Sequence, residues 1–224
     1  MQFPGAIAMV EAAGRTVVAE LSAGYPIQSR DALLVAELRT GSEVAFVWLV
    51  EHYQQPVYNL LLRIVADPAV AADTVQEVFL KVFRNIRSFR NRSSLKTWIY
   101  RIAVHEASNQ RRWWARHWTR ESSLEEHAPS SPHSLGELLM DTGESPFETA
   151  ARDELGREIE RALAQVDEPF RTAVVLRDIE ELSYEEMAEV LNVSMGTVKS
   201  RLARGREALK RLLEPYLNHG ERAG

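Results

Sequence analysis

The chain has 224 residues, 45% of them hydrophobic and 26% charged, with a net charge of −5 and no cysteine. Those values suit one large or two small globular domains, and they exclude disulfides, thiolate metal sites and thiol catalysis. No apolar run approaches the ~20 residues that span a bilayer, and the apolar patch at 6–10 has no positive charge before it, so neither membrane insertion nor a signal peptide is expected and a cytoplasmic location is the default.

The net charge conceals a division along the chain. From Lys81 to Arg120 there are eleven Lys or Arg against one acid, Glu106. Residues 121–168 carry thirteen acids and three bases, and residues 197–211 carry six bases against Glu207. Two basic patches separated by an acidic stretch point to a polyanionic partner more than the sum does.

Residues 1–28 are weakly patterned and read as a loosely ordered extension. Leu33, Leu34, Ala36 and Leu38 predict a first short helix that ends near Gly41. Ser42 reads as the cap of a second helix carrying Phe46, Leu49, Val50 and Tyr53, and Pro56 as the start of a third with Val57, Leu60, Leu61 and Ile64 inward. Asp67-Pro68 marks a turn, and the next helix begins at Ala69. Its apolar stripe is Val75, Val78, Phe79, Val82, Phe83 and Ile86, at spacings of three and four. Asp73, Gln76, Glu77 and Lys81 lie opposite, free to meet something outside the domain.

A polar break from Ser88 to Ser94 precedes a helix from Leu95, with Trp98, Ile99, Ile102 and Ala103 as its apolar side. Phe89, Trp98, Tyr100, Trp113, Trp114 and Trp118 are interleaved with the cations of this basic stretch. Cations that neutralise phosphates beside rings on which bases stack are what single-stranded or opened DNA requires. The plainer reading is a solvated basic face over a core of aromatics, and Trp98 is assigned to that core.

The periodicity fades from Thr119 to Ser145, where prolines, serines and acids mark a flexible acidic linker. Helices return at Phe147, with Leu155, Ile159, Leu163 and Val166 as one stripe, and Pro169 opens another. Ser183 and Glu186 make a capping box for a short helix, Tyr184 to Leu191. Asn192-Val193 is a turn, and Ser194 caps a helix whose Val198 and Leu202 face inward. Two short helices, a tight turn and a basic second helix are the helix-turn-helix arrangement, in which the second helix enters the major groove. A purely structural helix pair is the alternative. His105-Glu106 begins like a HExxH zinc site, but Asn109 stands where the second His belongs, and the other histidines lack ligand spacing. No catalytic, metal or cofactor site is expected.

With FVWLVEHYQQPVYNLLLRI, AADTVQEVFLKVFRNI and SFRNRSSLKTWIYRIAVHEASNQRR in the first half, and SYEEMAEVLNVSMGTVKSRLARGREAL in the second, the chain resembles bacterial sigma factors of the extracytoplasmic-function group. The resemblance covers about residues 30–214. It implies an all-α fold of two small helical domains: an extension 1–28, sigma region 2 over 29–117, an acidic linker 118–146, sigma region 4 over 147–214 and a tail 215–224. It implies that Asp73, Gln76, Glu77 and Lys81 dock on the clamp helices of the largest subunit of core RNA polymerase, with the flap of the β subunit as a further contact. Phe89, Arg90, Asn91, Arg92 and Ser93 would capture a flipped base of the promoter −10 element. Lys96, Tyr100, Arg101, Asn109, Arg111 and Arg112 would contact the melted strand and upstream duplex. Ser194, Met195, Thr197, Lys199, Ser200, Arg201, Arg204 and Arg206 would read the −35 element. The linker would pass through the polymerase cleft in place of nascent RNA, and an anti-sigma factor is an expected partner, controlling a stress or envelope-response regulon. His105 departs from the family pattern, in which Asn is usual two positions after the RIA motif. An ordinary helix-turn-helix regulator remains the competing reading.

Overall fold

The computed structural model describes the backbone of residues 27–121 and 146–220 and the side chains within 31–112 and 154–216. Most of the expected extension, residues 122–145 of the expected linker, the end of the tail, and the side chains of Trp113, Trp114 and Trp118 lie outside the described residues. Helix α1 spans Ile27–Thr40. It ends at Gly41, whose φ of 85° is a left-handed geometry that costs glycine little. The Gly41 and Ser42 N–H groups donate back to Leu38 and Glu37 carbonyls, closing the helix end.

Ser42 caps α2, Glu43–Val65, by accepting from Ala45 N–H. The two helices expected on either side of Pro56 are one continuous helix with Pro56 inside it. Proline forfeits one backbone hydrogen bond there. The buried positions Leu49, Val57, Leu60, Leu61 and Ile64 lie on both sides of it, so packing holds the helix together through the defect.

Asp67 caps α3, Pro68–Asn85, by accepting from the Ala69 and Val70 N–H groups, and Pro68 occupies the first turn where its missing donor costs nothing. A 3₁₀ turn, Ile86–Ser88, leads to α4, Leu95–Glu121. The start of α4 is held from a distance, since Asp31 on α1 accepts from Leu95 N–H at 2.9 Å. Burial raises the Asp31 pKa, and the Leu95 hydrogen bond partly offsets it.

The second group comprises α5, Pro146–Gln165; α6, Glu168–Val174; a π-helical turn, Val175–Ile179; α7, Tyr184–Leu191; and α8, Met195–Gly220. No strand occurs among the described residues. Buried Leu49, Leu61, Val78, Val82, Ile99 and Ala103 fill the first group. The same buried cluster runs on through Leu163, Leu176, Met187, Val198 and Leu202, so the two helical groups share one core. The shared part is made where α7 lies along α4 and where α6 meets the end of α2.

Candidate nucleic-acid interface

The amphipathic α3 buries Val75, Val78, Phe79 and Val82 and turns Asp73, Gln76 and Glu77 to solvent. Lys81 does not stand free beside them, for its Nζ lies 2.6 Å from Glu106 on α4. Phe83, read from the sequence as inward, is 56% exposed and meets Phe46 edge-on at 5.1 Å. Leu80 is also exposed, at 45%. The outer face of α3 is therefore a carboxylate and amide cluster beside an apolar step. Such a mixture suits a protein partner better than a nucleic acid.

The segment between α3 and α4 divides into an anchor and a rim. Phe89, expected to meet a base, is instead core: 4% exposed, with its ring tilted against Trp98 at 5.0 Å. Its carbonyl accepts from the Arg39 guanidinium. This pinning is what lets Arg90, Asn91 and Arg92 project as an exposed rim. Asn91 sits at φ 51°, a left-handed backbone that few residues other than Asn, Asp and Gly adopt readily.

Part of the basic face of α4 is engaged by the second helical group, while Arg101, Arg111 and Arg112 keep exposed side chains. Tyr100, expected to contact a DNA strand, is 1% exposed and donates its hydroxyl to Glu180 at 2.6 Å. Lys96 Nζ lies 3.6 Å from the same carboxylate and 3.3 Å from the Glu180 carbonyl oxygen. Ser93 donates to Glu189 at 2.8 Å, and Arg101 lies 3.8 Å from that carboxylate. Thr97, which the sequence did not single out, donates to Glu186 at 3.0 Å. Its buried hydroxyl between two expected contact residues is apparent only once α7 is seen against α4. Farther along, Asn109 bridges Glu106 and Arg112, and Arg111 pairs with Glu168 at 2.7 Å.

In the helix-turn-helix, Ser183 and Glu186 complete both bonds of the capping box. Asn192, at φ 52°, closes α7 by donating to the Ala188 and Glu189 carbonyls. Ser194 then caps α8 through Thr197 N–H at 3.2 Å, so the Ser194 and Thr197 hydroxyls are engaged with each other at 2.9 Å. Val198 and Leu202 are buried, while Lys199, Ser200 and Arg204 are exposed and Arg201 half-exposed. Arg204 lies over the Phe170 ring at 5.8 Å. Arg206 was grouped with the DNA-reading residues, but both its Nε and Nη2 donate to Asp178, with Nε at 3.0 Å. That hydrogen bonding raises its pKa. Its place is a clasp between α8 and the π-turn.

Burial alone would push the Glu186 carboxyl up, but bonds from Ser183 and Thr97 and the nearby Lys96 charge hold it below the ordinary range. A depressed carboxylate stabilises the fold above its unfolded pKa, about 4.3, and that stability is lost as pH falls through the lower folded value. Wild type is therefore expected to exceed Glu186→Gln in stability at pH 6 to 7, the gap closing progressively below about pH 4.3. Denaturant midpoints of the two proteins across that range check this.

Among the described residues no cluster of His, Asp or Glu could hold a metal, and no helix is long and apolar enough to cross a membrane. Residues 49–121 match the Sigma-70 region 2 family and residues 156–209 the Sigma-70 region 4 family. The RNA polymerase sigma-H factor of Pseudomonas aeruginosa is 36% identical over 190 residues, 85% of this chain and 97% of the relative. An ECF RNA polymerase sigma-E factor of Haemophilus influenzae is 37% identical over 190 residues, 85% of this chain and 98% of the relative. Among solved structures, the fold is similar to the sigma factor RpoE bound to the anti-sigma factor NepR from Bartonella quintana. The TM-score is 0.61 and the identity 22%, over 75% of this chain and 96% of that one. It is also similar to CnrH in complex with the cytosolic domain of CnrY, with TM-score 0.57 and 23% identity over 83% of this chain and 97% of that one. With both regions matched in order, and relatives more than a third identical along nearly their whole lengths, the chain belongs to the extracytoplasmic-function group of sigma-70-type RNA polymerase sigma factors.

Proposed function

We propose that this chain joins core RNA polymerase, brings it to promoters with −10 and −35 elements, and helps to open the DNA without catalysing a reaction itself. The observation that carries this reading is the pairing, in one chain and in this order, of a region 2 match that includes the α3 face with a region 4 match that includes the helix-turn-helix. In this reading residues 29–117 and 147–214 act as separate modules on the polymerase. Asp73, Gln76 and Glu77, with exposed Leu80 and Phe83, form the docking face for the clamp helices.

Arg90, Asn91 and Arg92 form the rim of the −10 pocket, floored by Phe89 as an anchor rather than a base contact. Unstacking a base costs a few kcal/mol, and pocket hydrogen bonds and stacking offset it. Lys96, Tyr100 and Arg101 hold the separated strand. The first turns of α8 enter the major groove, where Thr197, Lys199, Ser200 and Arg201 approach base edges and phosphates. The protein works where the polymerase is, in the cytoplasm. One fold neighbour was solved with an anti-sigma factor, which supports regulation of this chain by a partner of that kind.

Run-off transcription with core polymerase on promoter-bearing genomic fragments tests the reading, with native gels scoring core association. Wild type is expected to give polymerase-dependent transcripts. Asp73→Arg is expected to weaken core association about tenfold or more, because it sets a cation into an acidic, partly apolar docking face. Duplex binding by the protein alone, with no core association, would instead establish an ordinary helix-turn-helix regulator.

A further inference from the structure

The face of α4 assigned above to the promoter strand is occupied in the closed protein by three carboxylates of the second helical group. Glu180 follows the π-turn; Glu186 and Glu189 lie three apart on α7, on one helix face. Together they engage Ser93, Lys96, Thr97, Tyr100 and Arg101. Two cations and three hydroxyls facing a row of anionic oxygens is the arrangement that successive phosphates of a single strand would satisfy. A second set of contacts holds the opposite side shut. Arg63 Nε lies 2.9 Å from Glu160, and Arg171 Nη2 donates to the Ile64 carbonyl at 2.6 Å.

The covering is selective. On α4, Thr97 and Tyr100 are buried, Lys96 is half-exposed and Arg101 is exposed but paired. Lys199, Ser200 and Arg204 on α8 all stay exposed, so closure engages the strand face and leaves the helix-turn-helix surface open. We infer that Glu180, Glu186 and Glu189 act as a built-in stand-in for strand phosphates, an autoinhibitory contact that keeps the free protein from binding single-stranded nucleic acid until its two domains are drawn apart. The inference rests on the strand-binding reading of α4 given under the proposed function. Its physical content is competition: DNA strand and second domain both need Lys96, Tyr100 and Arg101, so each excludes the other. The apparent affinity of the free protein for a strand is then its intrinsic affinity reduced by the open fraction.

The test uses the full chain and a fluorescein-labelled single-stranded DNA of mixed sequence, about 12 nucleotides long. The variant is Glu180→Gln/Glu186→Gln/Glu189→Gln. Glutamine at 186 can still complete the capping box, so α7 keeps its start. A charge control, Glu51→Gln/Glu154→Gln/Glu214→Gln, removes three exposed acids elsewhere. Because the chain has no cysteine, Arg84→Cys/Glu207→Cys accepts a dye pair that reports the separation of the two groups. The triple variant is expected to bind the strand about tenfold tighter than wild type, with lower energy transfer between the dyes. The charge control should stay within about twofold of wild type.

If circular dichroism shows that the triple variant has lost helix, Glu180→Gln alone, outside the capping box, is read by the same two assays. Strand binding no tighter than that of the charge control overturns the lock, whatever the transcription assay shows. Wild-type protein that drives polymerase-dependent transcription alongside that result leaves the promoter reading standing. If wild type supports no transcription and neither variant binds the strand, the promoter reading and the lock both fall.

Discussion

Gly205→Ala is expected to destabilise this protein by about 2 kcal/mol, and Gly156→Ala to stabilise it by about 0.5–1 kcal/mol, although both glycines lie inside helices. In an exposed helix interior the change to alanine is favourable by close to 1 kcal/mol, because glycine leaves more backbone entropy to be lost on folding. At Gly156 on α5 a Cβ meets nothing within 4 Å, so that gain should be realised. At Gly205 on α8 the Cβ would fall 2.6 Å from the Phe170 carbonyl oxygen and 2.6 Å from Val174 Cγ2. The carbonyl belongs to the backbone of α6 and cannot rotate away. One helix must therefore retreat from the other, loosening contacts around buried Val174, Val198 and Leu202. Thermal or urea unfolding of the two variants against wild type gives the signs directly. A stabilised Gly205→Ala protein would mean that α6 and α8 do not cross this closely. Loss of duplex binding by the helix-turn-helix should accompany the destabilisation, since α6 backs the helix that presents Lys199 and Arg201.

The helical architecture was legible because its signals are local. Ser42, Ser183 and Ser194 each announce a helix start by chemistry that acts within three residues, and each makes the cap bond that the sequence predicts. Asp67, read only as part of a turn, proves to be a cap as well. Pro56 misled because a proline's penalty is local while its compensation is not. Phe83 misled because a stripe at helical spacing does not reveal where the neighbouring helix ends. The site residues divide the same way. Which side of α3 carries Asp73, Gln76 and Glu77 follows from period alone. The covering of Tyr100, the buried Thr97 hydroxyl and the Asp178 clasp on Arg206 depend on contacts between residues from about thirty to ninety positions apart. Nothing in a charge count distinguishes an acid that faces water from one that faces a basic helix. The run Glu180, Glu186 and Glu189 opposite a cationic α4 was the available hint, and it acquires meaning only when the two groups are seen together.

Arg171→Met is expected to cost about 3 kcal/mol and, more tellingly, to split one unfolding transition into two. Arg171 is 8% exposed, and its guanidinium ties the ends of two helices from different parts of the chain. Nη1 donates to Ala164 in the last turn of α5 at 2.8 Å, and Nη2 to Ile64 in the last turn of α2 at 2.6 Å. A cation at these carbonyl ends also opposes the negative poles of both helix dipoles. Burial lowers the Arg171 pKa, partly countered by Glu168, so the charge is held there at some cost in solvation. Methionine fills much of the space but donates nothing, leaving both carbonyls without this donor. Lysine keeps the charge but lacks the planar fork that reaches two acceptors, so Arg171→Lys should fall between Met and wild type. All five tryptophans lie at or before position 118, so their fluorescence follows the first group alone, while far-ultraviolet circular dichroism follows both. In wild type the shared core should make the two transitions coincide. In Arg171→Met the dichroism should begin to fall before the fluorescence does, as the second group detaches and unfolds first. Coincident transitions at an unchanged midpoint would show that the shared core alone couples the two groups. A separation would identify Arg171 as a latch whose strength, together with that of the Glu180, Glu186 and Glu189 contacts to α4, sets how readily the two groups come apart.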